Sequence, residues 1–555
     1  MRYIRYMTII FLLISVTVSS WLACQGENHY GMPRLVVVIV VDQMRADHLT
    51  RFAGVYRYGF ARLYHYGAVF TNAHHEHAFT STSPGHATLS TGCFPSHHGI
   101  INNGWFDRSL NQEMYSVRDT SAPLLGYSSS KPKNGRSPKN LLRNTLADWM
   151  KISNPKTKAY GVARKDRAVI LSTGHKAEGA FWYNNDDGHL VTSTYYFNEY
   201  PEWVKEFNKS GLVDRYADSV WARILPDETY FLAREDSFPA EADGVHIKMP
   251  YRFMGNKNKL DNDYYEYLED TPFIEGLVFQ FAELLVEKEN LGQDRVPDFL
   301  FVGCSAADAV GHRFGPLSEE DMDYYLRLDR YLGQFFDYLD KNVGKNNYIV
   351  ALSGDHGVLP IPEELERRGF PSKRYPPKEL NETIRQAFVS ISQECGVTES
   401  FFEKKVGDGI LLNYELAKQH GISPKKLDSM VVNHLQNVDP IVEVYTAGQL
   451  QKNKTREDSF IDRYRHSFYK GRSADIFLRI KPYYLISAGL GTSHGSPYDY
   501  DSHVPLIFMG PGIQPGFHDQ KVATVDLAPT LAEIVGIKPA NEIDGESLVS
   551  IISKK

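Results

Sequence analysis

The chain has 555 residues, 42% of them hydrophobic and 23% charged, with a formal net charge of -7. That length can bury a large core, as two or three domains or as one large α/β domain with insertions. The negative balance, with no low-complexity tract and no internal repeat, argues against a general nucleic-acid surface, and a small anionic substrate would need its own local positive charge.

Residues 1–24, "MRYIRYMTIIFLLISVTVSSWLAC", read as an export signal. Arg2 and Arg5 form the basic end, and the apolar run Met7 to Val18 is short for a membrane span. Cys24 after "WLA" resembles a loose lipoprotein processing site, with Trp21 where the usual pattern has Leu. It would anchor a periplasmic protein to a membrane. Cys93, Cys304 and Cys395 leave room for at most one bridge, which is no disulfide framework.

"RLVVVIVVD" (34–42) is a continuous apolar run ending in Asp42. A buried parallel strand reads this way when its C-terminal end carries function. "HHEH" (74–77) matches no helical ligand spacing and is set aside as a metal cluster. Next comes "HAFTSTSPGHATLSTG" (77–92), where hydroxyl residues precede Pro84 and predict a helix start. Such a start gathers unpaired N–H groups that suit phosphate. A hydroxyl held there is either an ordinary cap or a nucleophile. "CFPSH" resembles the Cys-x-Pro-x-Arg sulfatase signature, but His97 stands where Arg is required.

Further along, "DFLFVGCSAAD" (298–308), "NYIVALSGDH" (347–356) and "VPLIFMG" (504–510) predict three more strands. Helical segments at 271–292, 317–344 and 522–536 alternate with them, which implies a sheet covered on both faces. The stretches at about 181–270 and 359–484 fit this alternation poorly and read as insertions on one core spanning 25–555.

Three predicted strands therefore end in Asp42, Asp308 and Asp355. Carboxylates converging at one sheet end repel unless a cation lies between them. Asp308 and His312 share a helical face at i, i+4. Asp355 and His356 are adjacent in "SGDHG", and His494 lies in the loop "GTSHGSPYDYDSH". Three carboxylates and three imidazoles suit zinc and divide into two sites of three.

"TSTSPGHATLSTGCFPSHHGIINNGW", "ARKDRAVIL", "SAADAVGHRFGP", "SGDHG" and "GTSHG", in this order after Asp42, resemble the alkaline phosphatase superfamily. They are most similar to zinc phosphomonoesterases of the PafA type and slightly less so to the nucleotide pyrophosphatase/phosphodiesterases. The likeness covers nearly the whole mature chain, including "TSTYYFNEYPEWVKEFN" and "GRSADIFLRIKPYYLIS". It implies a three-layer αβα sandwich on a mostly parallel sheet. Thr82 matches the nucleophile and Asp42, Asp355 and His356 the ligands of the zinc that activates it. Asp308, His312 and His494 match the ligands of a second zinc, and Asn103, with Asn102 beside it, an Asn that bonds a phosphoryl oxygen. Lys165 and Arg167 match a pair typical of the monoesterase branch. The Ser83 amide would steady phosphoryl oxygens, and Thr80, Ser81 and Ser83 would be turn and capping residues. The implied activity is periplasmic hydrolysis of small phosphate monoesters with two zinc ions and a phosphothreonine intermediate. A phosphodiesterase of the same fold is the enzyme alternative, and a binding protein that kept only the fold is the alternative from another class.

Overall fold

Strand β1, Leu35–Val41, has all seven side chains buried. Leu35, Val37, Ile39 and Val41 face one core while Val36, Val38 and Val40 face another. Burial on both faces is why the run shows no polar alternation. Each fully buried Val, Leu or Ile contributes about 1.5–3 kcal/mol relative to exposure, so this strand is the natural centre of the domain. The computed structural model describes residues 31–126, 135–252, 260, 262–436, 438–452 and 459–553. Residues 1–24, read from the sequence as an export signal, lie outside the described residues together with Cys24.

The remaining strands of the main sheet are β2 (Gly67–His74), β3 (Ala159–Ala163), β4 (Gly179–Tyr183), β5 (Leu190–Val191), β6 (Asp298–Cys304), β7 (Tyr348–Gly354), β8 (His503–Met509), β9 (Gly516–His518) and β10 (Val522–Ala523). Their order is β9-β2-β8-β7-β1-β6-β3-β4-β5, with β10 beside β2. The sheet is parallel from β7 to β4, whereas β8 runs against both β7 and β2, and β5 runs against β4. Helices α1 (Thr82–Thr91), α2 (Asp166–Thr173) and α6 (Leu527–Ile534) cover one face. Helices α3 (Phe273–Lys288), α4 (Ala306–Phe314) and α5 (Glu319–Leu339) cover the other. This is the expected αβα sandwich on a mostly parallel sheet.

The reversal of β8 matters for function. In a parallel β8 the loop before the strand would lie at the wrong end of the sheet. Running antiparallel, with Leu506 opposite Ser353, β8 starts beside the C-terminal end of β7 and brings the loop carrying His494 there.

The two irregular stretches differ from one another. The first begins inside β4 and continues through β5, so its leading residues belong to the main sheet. The second carries a separate antiparallel sheet, ordered Phe402–Val406, Gly409–Leu412, Ile476–Ile480 and Ile441–Thr446, with its own core around Ile384, Phe388, Leu427 and Leu478. Cys93, Cys304 and Cys395 are free thiols. Among the described residues no helix is long and apolar enough to cross a membrane.

Candidate active site

The C-terminal ends of β1, β6 and β7 open onto one crevice. Asp42 follows β1 directly, and its N–H still bonds Cys304 O at 3.0 Å, extending the parallel ladder by one residue. Asp308 and His312 lie one turn apart on α4, with Oδ1 and Nε2 3.3 Å apart. Past the end of β7, His356 Nε2 is 3.3 Å from Asp355 Oδ2 and 4.0 Å from Asp308 Oδ1. His494 Nε2 lies 3.4 Å from Asp308 Oδ1, and its ring stacks on His356 with centroids 3.6 Å apart. All six residues singled out as ligands by the sequence therefore meet in one place.

Their hydrogen bonds fix what they can bind. The Nδ1 atoms of His312, His356 and His494 contact the carbonyls of Thr492, Gly357 and Thr80 at 2.8, 2.9 and 2.8 Å. A carbonyl only accepts, so each Nδ1 carries a proton and each ring turns its Nε2 toward the carboxylates. His356 Nε2 and Asp355 Oδ2 are buried without a hydrogen-bond partner. Buried unpartnered acceptors facing one another fit a cation.

The charges agree. Burial and then the charge of Asp42 push the Asp355 carboxyl well above its ordinary range. Burial is the largest influence on Asp42 and Asp308 and opposes their ionisation, but the Lys165 ammonium together with His86 at Asp42, and with His312 and His494 at Asp308, outweighs it and holds both well below the usual range. Lys165 Nζ sits 2.7 Å from Asp42 Oδ2 and 2.5 Å from Asp308 Oδ2. One ammonium faces three buried carboxylates, a deficit of positive charge that divalent ions would fill.

Thr82 is the first residue of α1 and is 1% exposed. Its helix packs directly against the Asp355 backbone. A Cβ on Gly85 would stand 2.1 Å from Asp355 O, so only glycine allows this approach. Arg167 Nη2 reaches to 3.5 Å from Thr82 Oγ1. Tyr115 helps hold Arg167: its hydroxyl lies 3.4 Å from Nη1 and donates to Asp166 Oδ1 at 2.5 Å.

Several local expectations change. Ser81 takes the N-cap position, but its hydroxyl makes no cap and instead donates to Asn102 Oδ1 at 2.9 Å. Thr80 donates to Ser496 O, and Ser83 Oγ pairs with Ser116 Oγ. These hydroxyls tie the segment around Thr82 to distant loops rather than capping its helix. The Ser83 amide, expected to face phosphate, donates to Asn103 Oδ1 at 2.8 Å.

Sequence reasoning missed His86. It lies one helical turn after Thr82, and its Nε2 is 3.0 Å from Asp42 Oδ1 and 3.6 Å from Asp355 Oδ2. Ligand-capable atoms of Asp42, His86 and Asp355 form one group within 4.8 Å, and those of Asp308, His312 and His494 form another. His86 nonetheless differs from His356. Its Nε2 bonds a carboxylate and so carries the proton, which leaves no lone pair for a cation. It orients Asp42, while His356 keeps the free nitrogen. The i, i+4 spacing from Thr82 is the one signal that could have found it.

Beside the cluster opens a cavity of about 630 Å³, lined by Lys165, Arg167, Asp308, His312, Asn184 and Asn185 among others. The "HHEH" histidines lie elsewhere, with His75 bridging Gly354 O and Thr524 Oγ1 and His74 contacting Asn72.

The sequence profile of the type I phosphodiesterase/nucleotide pyrophosphatase family matches residues 36–496. Alkaline phosphatase PafA of Elizabethkingia meningoseptica is 33% identical over 562 residues, covering 98% of this chain and 99% of that protein. A Myroides odoratus protein named calcium-transporting ATPase is 35% identical over 521 residues, covering 92% of this chain and 93% of that one. The crystal structure of wild-type alkaline phosphatase PafA superimposes with a TM-score of 0.86 at 31% identity, covering 94% of this chain and 99% of that chain.

Proposed function

Because the chain belongs to the type I phosphodiesterase/nucleotide pyrophosphatase family and is a hydrolase of phosphoric esters, we propose that it is an exported, zinc-dependent alkaline phosphatase acting on phosphate monoesters through a phosphothreonine at Thr82. The observation that carries this reading is the shared orientation of His312, His356 and His494, whose Nδ1 atoms are tied to carbonyls and whose Nε2 atoms turn toward the Asp308 and Asp355 carboxylates beside a buried threonine hydroxyl. That donor set suits two zinc ions. Asp42, Asp355, His356 and the Thr82 hydroxyl would hold one; Asp308, His312 and His494 would hold the other. When bound, such ions lower the pKa of a hydroxyl and stabilise a departing oxygen.

The chain's own groups do the rest. Thr82 Oγ1 gives up its proton to solvent and attacks phosphorus, the ester P–O bond breaks, and the alkoxide leaves and takes a proton from solvent. The Arg167 guanidinium and the Asn103 amide hold transferred-phosphoryl oxygens. With its carboxylate partners neutralised, Lys165 adds a second positive charge, which favours a dianionic monoester over a monoanionic diester. Water then attacks the phosphothreonine, releases phosphate and restores the hydroxyl. On this reading residues 25–555 are one catalytic unit, with insertions at about 181–270 and 359–484. Residues 1–24 direct export to the periplasm, and Cys24 is the residue a lipid anchor would use. A phosphodiesterase is the second reading, because the 630 Å³ cavity has room for another ester substituent.

The test is a panel of a monoester, a diester and ATP on zinc-loaded protein, with acid quenching during turnover. Monoester turnover should dominate, and phosphate should be trapped on Thr82. Thr82→Ala should lose most activity while keeping zinc, and Thr82→Ser should retain a substantial part. Phosphate on Thr80 or Ser81, or faster diester cleavage, would overturn the proposal.

A further inference from the structure

Gln43, directly after Asp42, adopts a left-handed backbone with φ of 60° although it is not glycine. Non-glycine residues seldom occupy this region, and such outliers persist where surrounding contacts demand them. The contacts here are specific. The Gln43 main-chain N–H donates to Asp355 Oδ1 at 2.9 Å. Its side-chain Nε2 donates to Asp308 Oδ1 at 2.9 Å and lies 3.3 Å from the Asp308 carbonyl. One residue thus holds a carboxylate from each of the two ligand groups. The side chain is buried, and its amide oxygen occupies space that α4 leaves open: a Cβ on Gly311 would stand 1.8 Å from Gln43 Oε1.

We propose that Gln43 is a positioning residue that sets the distance between the two cation sites. Its main chain locks Asp355 in one site and its side-chain amide locks Asp308 in the other. The inference rests on the two-cation reading above. A donor on a ligating carboxylate fixes which oxygen is left for the ion, and losing such a partner commonly costs about 10–100-fold in metal affinity. With φ at 60°, the main-chain N–H meets Asp355 while the side-chain amide reaches Asp308.

The geometry predicts an asymmetric result. Gln43→Leu keeps the N–H on Asp355 but removes the amide from Asp308. Gln43→Asn keeps an amide one methylene short of Asp308, on a residue type that tolerates a left-handed backbone. Zinc affinity is read by competition with a chromophoric chelator on the full chain, with melting curves to establish folding. In both variants one ion should weaken by about 10–100-fold while the other stays near its parental affinity. Parental affinity for both ions in a folded variant would overturn the proposal. Equal weakening of both would also overturn it, since that marks a general packing role. Where Gln43→Leu does not fold, Gln43→Asn decides. Failure of the cation reading itself would appear separately, as parent protein that binds no zinc.

Discussion

Replacing Lys165 with methionine should destabilise the metal-stripped protein far more than the zinc-loaded one. In the structure its ammonium contacts Asp42 Oδ2 at 2.7 Å and Asp308 Oδ2 at 2.5 Å, and the side chain is only 6% exposed. Methionine keeps much of the stem's packing and deletes the charge. Removing one partner of a buried ion pair costs about 3–5 kcal/mol, because the remaining charge is left uncompensated. Folded domains are stable by about 5–15 kcal/mol in total, so the stripped variant should melt at a clearly lower temperature. Divalent ions would supply the same compensation from another direction, so the loaded variant should lose much less. Melting temperatures of parent and Lys165→Met, each stripped and zinc-loaded, give the comparison. Repeating the comparison across a pH series shows whether protonation of Asp355, which burial and the Asp42 charge favour, relieves the repulsion in its place. The rise on adding zinc should be larger in the variant. An equal rise in both would mean that Lys165 does not stand in for the ions' charge, and the electrostatic reading of the crevice would fail.

Arg167→Ala should cut monoester kcat/KM by about tenfold to a few hundredfold, the worth of one charge-assisted contact. Diester kcat/KM should fall less, and equal losses on the two would remove Arg167 from substrate discrimination. A separate test lies away from the crevice, at Glu320, where burial and then the Glu241 charge push the carboxyl up to about 8. A raised folded pKa means the native chain binds more protons than the unfolded one, so this stabilising contribution is full at low pH and fades as pH rises through about 8. Glu320→Gln, which keeps the acceptor for the Tyr251 hydroxyl at 2.6 Å, should therefore raise the melting temperature above about pH 8 and give a shrinking gain toward acid pH. A gain independent of pH would refute the titration.

What the sequence displayed was whatever chemistry sits where a regular element ends. Asp42, Asp308 and Asp355 follow long apolar runs, and the Asp308–His312 spacing is local to α4. His494 was different. Its place depends on β8 running antiparallel to β7, a pairing across some 150 residues of sequence that neither periodicity nor composition encodes, as the 152-residue separation of the Ser353–Pro505 bond illustrates. Residue type and a Gly/Ser-rich loop made it a candidate, and the resemblance assigned it to the second site. His86 and Gln43 escaped for a related reason. Neither ends a strand in a carboxylate or belongs to a ligand motif, and each acts through contacts 44 to 312 residues away. The hydroxyl run before Pro84 misled in the opposite sense, since local rules favour capping and tertiary partners took three of the four hydroxyls.

The same contacts explain why Thr82, the proposed nucleophile, sits on a fully buried helix rather than on a loop. Gly85 lets α1 press against Asp355 O, and His86 on that helix bonds Asp42. Thr82 is therefore fixed relative to the carboxylates by a short rigid path through one helical turn. Arg167 is carried on α2, a different element, and is braced by Tyr115 and Asp166. A hydroxyl and its ligands must keep a spacing set by ion radii, which a loop would blur, and a misplacement of about 1 Å can cost about a hundredfold in rate. In the proposed role the guanidinium would have only to follow phosphoryl oxygens, and its fork tolerates more movement. On these grounds substitutions that loosen α1, such as Gly85→Ala, should damage zinc affinity and turnover together. Those that loosen the Arg167 brace, such as Tyr115→Phe, should lower turnover with zinc affinity intact.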